Sequence, residues 1–157
     1  MLATIISGIF PGNGKTPLFL EYGYTADFPQ QQHIVSGFDT VDGELIRSRS
    51  TEKPLFVNSR KVPATVGVAF GFWVEVPSNV FAKPLRGSVH HPAMGPESRT
   101  NQTWPLEKHF FGGRLFVGYR LEDEYELVLG DWTFELWEND LILFEQTLEL
   151  VDPATLP

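Results

Sequence analysis

Between Thr65 and Val76 the chain reads TVGVAFGFWVEV, and every even position (Val66, Val68, Phe70, Phe72, Val74, Val76) is β-branched or aromatic. The odd positions are Thr, Gly, Ala, Gly, Trp and Glu. A period of two is the repeat of a strand with one buried face. A helix would scatter the six apolar side chains and set Gly67 and Gly71 in its interior, each costing about 1 kcal/mol relative to alanine. The stretch is therefore expected to be a central strand. The same alternation recurs at Leu18, Leu20, Tyr22 and Tyr24; at Leu115, Val117, Tyr119 and Leu121; and at Trp132, Phe134 and Leu136 followed by Ile142, Phe144, Leu148 and Leu150. The last pair, turned by Glu138-Asn139-Asp140, predicts a hairpin with one buried face. Gln146 falls on its inward parity and is expected at a bulge or an edge.

Shorter extended segments are expected at residues 2–10, 44–50, 55–58 and 85–91. Pro11 to Gly14 turns the chain after the first, and Asp42-Gly43 opens a hairpin into the second. Residues 30–41 and 92–105 carry little pattern and are expected as loops, and Glu122 to Glu126 as at most a helical turn. Lys61 to Ala64 leads into the central strand. Residues 1–157 are taken as one domain: N-terminal strands and a loop to residue 60, a core sandwich over 61–151, and a tail. About eight strands with little helix predict an all-β, antiparallel sandwich of immunoglobulin-like type. Leu127 to Trp132 looks like the corner by which Greek-key domains enter a late strand, with an indole where tyrosine is usual and hence without the tyrosine's hydroxyl bond.

Twelve basic residues against twenty acidic ones leave a formal charge of −8, which repels phosphate backbones and sets nucleic-acid binding aside. The absence of cysteine removes disulfides and thiolate chemistry. No run of about 18 apolar residues is present to span a bilayer. No Lys or Arg precedes the apolar start MLATIISGIF, so a signal peptide is not expected and a cytoplasmic location is favoured.

Several residue groups invite chemistry. Gly12-Asn13-Gly14-Lys15-Thr16 suggests a phosphate loop, yet the glycine that motif needs five residues before Gly14 is Ile9. His90 and His91, as neighbours on a strand, point to opposite faces and do not readily share one metal or substrate. By parity His91 belongs near the core edge and His90 on the solvent face. A site joining either to His109 or to a loop carboxylate is the enzymatic or ligand-carrying alternative. The carboxylates at Glu122, Asp123, Glu124 and Glu126, and at Glu138 and Asp140, are read as solvated surface. Gly67, Ala69 and Gly71 form a flat track beside Trp73; an aromatic from Trp73 or from residues 1–60 packed over it is the simpler reading, a binding groove the alternative. No cofactor or metal is called for.

The segments Lys61-Val62-Pro63-Ala64, Gly67, Phe70-Gly71, His91-Pro92, Glu126-Leu127 and Gly130-Asp131-Trp132-Thr133-Phe134 resemble a family of small bacterial proteins known only as a domain of unknown function with an immunoglobulin-like β-sandwich. The likeness covers about residues 61–151. It implies the fold and carries no catalytic residues. The functional expectation is a non-enzymatic module that binds a protein partner through an edge strand or a loop-end surface.

Overall fold

The computed structural model describes residues 4–5, 17–28, 32–36, 44–48, 54–76, 84–106 and 114–157. Eleven strands run through them: β1 (Thr4–Ile5), β2 (Leu18–Thr25), β3 (Gln32–Ser36), β4 (Glu44–Ser48), β5 (Lys61–Pro63), β6 (Ala69–Glu75), β7 (Leu85–Met94), β8 (Arg99–Leu106), β9 (Arg114–Arg120), β10 (Gly130–Glu138) and β11 (Leu141–Val151). One sheet has the order β1-β11-β10-β7-β8, with β5 also on β11; a second has the order β2-β6-β9; β3 and β4 pair as a hairpin. This is an all-β, immunoglobulin-like sandwich. Among the described residues helix is limited to 3₁₀ turns at Glu124–Glu126 and Pro153–Thr155.

The two sheets are joined by aromatic contacts. Phe70 of β6 meets Trp132 and Phe134 of β10 edge-on, at centroid distances of 5.1 and 5.3 Å. Phe19 of β2 stacks on Phe72 at 5.4 Å and reaches Phe144 of β11 at 5.9 Å. Such pairs add to area burial by about 0.5–1.5 kcal/mol each. Around them Val68, Val74, Val89, Leu136, Leu148 and Leu150 complete the core.

The expected central strand is present but begins at Ala69 and is buried on both faces. Thr65 to Val68 is a turn, closed by Val68 N–H to Thr65 O at 3.2 Å, and Val66 is 43% exposed despite its parity. On the odd face Ala69 and Trp73 lie under Phe28, Phe56 and Phe116 in a second, smaller core. Phe56 meets Trp73 edge-on at 5.7 Å and Phe116 at 5.4 Å.

Other expectations also need correcting. Lys61–Pro63 does not lead into the central strand; it pairs parallel with β11 in the opposite sheet, and the chain then crosses over. Residues 30–41 contain β3, and residues 92–105 contain most of β8 and the end of β7. Leu55–Asn58 provides a single bridge, Tyr24 to Val57. In β2 a register shift between Phe19 and Glu21 puts Phe19 with Tyr22 and Tyr24 against the main core and leaves Leu20 in the smaller one. Gln146 lies opposite Phe134 in a regular part of the hairpin, whose irregularity is at Leu136/Trp137. Among the described residues β1 pairs β11 at Phe144 and Glu145 and β5 pairs it from Glu149; Gln146, between them, is buried.

Gly23, Gly71 and Gly118 lie in register across the three strands of the second sheet. A Cβ on Gly71, whose φ is +153°, would stand 2.2 Å from Val117 O, and one on Gly118 would stand 2.2 Å from the Phe116 ring. The row lets β9 approach closely and lets Phe116 lie flat over the sheet. Gly71→Ala is expected to cost about 3 kcal/mol or more, because both strain and overlap are forced. Gly67→Ala meets nothing within 4 Å and only suffers its φ of +98°, so about 1–2 kcal/mol is expected. Urea midpoints of the two variants check the contrast; equal losses would refute the close-approach argument.

Candidate functional site

Alternation along β7 sends Arg86, Ser88 and His90 to the outer face of the large sheet. The register with β10 sets Trp137 beside Arg86, Glu135 beside Ser88 and Thr133 beside His90. Ser88 Oγ donates to Glu135 Oε1 at 2.7 Å, and His90 Nε2 lies 3.0 Å from the same oxygen. The Trp137 indole N–H is shared between Ser88 Oγ (3.1 Å) and Glu135 Oε1 (3.3 Å), and the Arg86 guanidinium lies 4.7 Å from the Trp137 ring centroid. Glu135 is buried under this cluster while the His90 side chain is 55% exposed. Chemically the arrangement is a braced surface. The serine proton is directed at the carboxylate, the imidazole bonds to the same oxygen, and no imidazole accepts from the serine as a nucleophilic relay requires.

His91 points the other way, into the core edge, as parity expects. Its Nδ1 lies 2.7 Å from Pro92 O and its Nε2 lies 3.0 Å from Gln102 Nε2. A carbonyl accepts only from an N–H and the amide nitrogen only donates, so Nδ1 carries the proton and Nε2 accepts. The ring packs on Trp132 at 4.8 Å. Burial, chiefly, holds its pKa below the ordinary 6.5 against the opposing pull of the Pro92 carbonyl; Arg99 and His90 lower it further.

Trp132 in turn sets the corner. Its indole Nε1–H donates to Val128 O at 3.1 Å, so the bond that tyrosine's hydroxyl would supply is made by a nitrogen donor after all. Tyr119 packs on the Trp132 ring at 5.4 Å and donates its hydroxyl to Glu126 Oε2. Glu126 Oε1 accepts from the backbone N–H of Glu122 (2.6 Å) and Asp123 (2.8 Å). Glu126 is thus a buried organiser of the β9–β10 connection rather than part of a solvated surface. Asp123 and Glu124 remain exposed, and Glu122 meets Arg120 at 3.3 Å.

The glycine track does not come together as one surface. Gly67 is in the turn before β6, its N–H bonded to Leu121 O at 2.7 Å; Ala69, Gly71 and Trp73 are covered as described. His109 and the Gly12–Thr16 segment lie outside the described residues. Among the described residues no group of three His, Cys, Asp or Glu could hold a metal ion. No helix of the described residues is long and apolar enough to cross a membrane. Sequence reasoning missed Glu135 and Trp137, whose link to His90 needs the β7–β10 register, and Glu126, whose burial looks like any acidic turn in the sequence.

One end of the sandwich gathers exposed apolar side chains. Val66 (43% exposed) sits in the turn tied to Leu121, and Tyr125 (42%) and Leu129 (53%) sit on the β9–β10 connection that Leu121 begins. Exposed Asp123, Glu124 and Asp131 share that connection and the start of β10.

The His91 and Trp132 bonds give two expectations. With a folded-state pKa below the unfolded 6.5, the His91 contribution is complete above about pH 6.5 and is lost as pH falls toward the folded value, because the unfolded chain takes up the proton first. The urea midpoint should therefore drop more between about pH 7.5 and about pH 5 in the native protein than in His91→Gln; parallel drops would contradict the burial of a neutral imidazole. Trp132→Phe should cost about 2–3 kcal/mol through lost volume and an orphaned Val128 carbonyl, read from the same unfolding curves.

Comparison with known proteins agrees with this fold. An immunoglobulin-like protein from Pseudomonas aeruginosa superposes with a TM-score of 0.56, covering 89% of this chain and 100% of its own at 16% identity. No curated protein matches the chain. The family model described as "Domain of unknown function (DUF3859)" matches residues 27–150, reaching further toward the N-terminus than the 61–151 read from the sequence. With most of its length matched and the expected sandwich in place, this chain belongs to that family of unknown function.

Proposed function

We propose that the protein is a non-enzymatic binding module that engages a protein partner through the loop end carrying Val66, Tyr125 and Leu129. The observation that carries this reading is the exposure of three large apolar side chains on connections whose backbone is held fixed. Gly67 N–H to Leu121 O, Ala64 N–H to Val151 O (2.9 Å) and the buried Glu126 brace that end. Exposed apolar groups on braced loops are what recognition surfaces present. Asp123, Glu124 and Asp131 at its margin suit a partner whose contact surface combines apolar groups with Lys or Arg.

The alternative, a ligand carrier or hydrolase using His90 or His91 with loop carboxylates, has less support. His91 is engaged on both ring nitrogens within the fold, and the carboxylate that meets His90 is Glu135 of strand β10.

The test begins with a partner co-purified from the host, identified, re-expressed and titrated against purified protein. The double variant Val66→Ser, Leu129→Ser should bind at least about tenfold more weakly, roughly 1.4 kcal/mol, with an unchanged urea midpoint because both side chains are exposed. Added salt should weaken the native complex. Binding retained by the double variant, or binding indifferent to salt, would remove the loop end from the interface.

A further inference from the structure

At the opposite end of the large sheet, where β7 begins and β10 turns into β11, lies a cavity of about 360 Å³ lined by Pro84, Leu85, Arg86, Thr103, Trp104, Pro105 and Asn139. The geometry points to a binding site here for a small organic carboxylate with an apolar or aromatic body. The walls and the polar groups divide cleanly. The exposed prolines, Pro84 and Pro105, offer most of the apolar surface, with the edges of the otherwise buried Leu85 and Trp104 between them; the polar groups are Arg86, Asn139 and Thr103, and the Thr103 hydroxyl is already spent on Gly87 O at 3.2 Å. Such a lining, mostly apolar with few polar groups, is that of a small-molecule site.

Arg86 is the feature that selects the ligand. Its guanidinium lies over Trp137, 4.7 Å from the ring centroid, and pairs with no carboxylate among the described residues. In a chain with twenty acidic residues against twelve basic ones, this half-buried guanidinium supplies the positive charge that an anion in the cavity would meet. Stacking on the indole fixes the plane of the fork and reduces the entropy lost on binding. A single planar fork matches a carboxylate in two parallel hydrogen bonds. Phosphate sites instead gather backbone N–H groups at helix N-termini or nests, and no helix N-terminus of the described residues borders this cavity. Asn139, at the tip of the β10–β11 turn with φ +51°, is held exposed at the rim, where its amide can donate to the same anion.

The probe is 3-phenylpropionate, with 3-phenylpropionamide as its neutral counterpart, titrated into isotope-labelled protein and followed by amide and indole NMR shifts. Saturable shifts are expected at Arg86, Thr103 and the Trp104 indole, with the amide at least about tenfold weaker. Arg86→Gln should abolish the preference for the acid, and Arg86→Lys should restore only part of it because the fork and the stack are lost. Equal binding of acid and amide, or no saturable shift at these residues, overturns the proposal. So does tighter binding of the phosphate ester of 3-phenylpropanol, which would assign a different ligand class. Should the Arg86 variants lose their folded spectra, the comparison of acid and amide on the native protein still decides.

Discussion

The structure depends on β6 having to be covered on both sides at once. Its even residues, Phe70, Phe72 and Val74, fill the space between the two sheets, while Ala69, Gly71 and Trp73 face away from it. In a plain two-layer sandwich that second face would meet water and be polar. Here it carries a tryptophan with 0% exposure, so a third layer is obligatory, and Phe28, Phe56 and Phe116 provide it. The glycine row follows from the same requirement, since Phe116 can lie against the sheet only where Gly118 presents no side chain. Two of the three covering rings, Phe28 and Phe56, come from residues before 61, so the N-terminal part of the chain is needed to close the odd face of β6.

A second constraint runs through the corner. Trp132 touches Phe70 in the core, His91 from β7 and Tyr119 from β9, and donates to Val128 O. Through Tyr119 it connects to Glu126, whose two backbone bonds close the 3₁₀ turn. One indole therefore couples both sheets to the connection that bears Tyr125 and Leu129. A buried carboxylate at the start of such a turn satisfies backbone donors that would otherwise be orphaned, and it does so without occupying the exposed side of the loop.

What could be read from the sequence and what could not divide along one line. Strands that bury a full face announced themselves by parity: β6, β9, β10 and β11 all lie where alternation put them, and parity alone sent His90 outward and His91 inward. β8 did not announce itself. It ends the sheet, and only Gln102 and Trp104 of its residues are buried; with Pro105 inside it and Gly95-Pro96 before it, its text matches that of a loop. Val66 misled in the opposite sense, because an apolar residue in phase with a strand has the same letters whether or not the strand has begun. The site residues show the limit most plainly. Ser88 and Glu135 are 47 positions apart, and only the pairing of β7 with β10 brings them into contact; no local pattern encodes that register.

The outer face of the large sheet illustrates why polar clusters need geometry before chemistry. Serine, histidine and glutamate occur there within hydrogen-bond distance, the inventory from which a catalytic relay is built. In a relay the histidine stands between the other two; here the glutamate does, and Glu135 Oε1 collects donors from Ser88, His90 and Trp137. A carboxylate so saturated is a structural acceptor that draws β7 and β10 together and lowers the cost of burying its own charge. The groups left facing outward are then the His90 ring and the Arg86 guanidinium on Trp137. Arg86 borders the cavity at the end of the sheet, where its charge meets apolar lining, whereas the His90 ring is already turned to the carboxylate of Glu135.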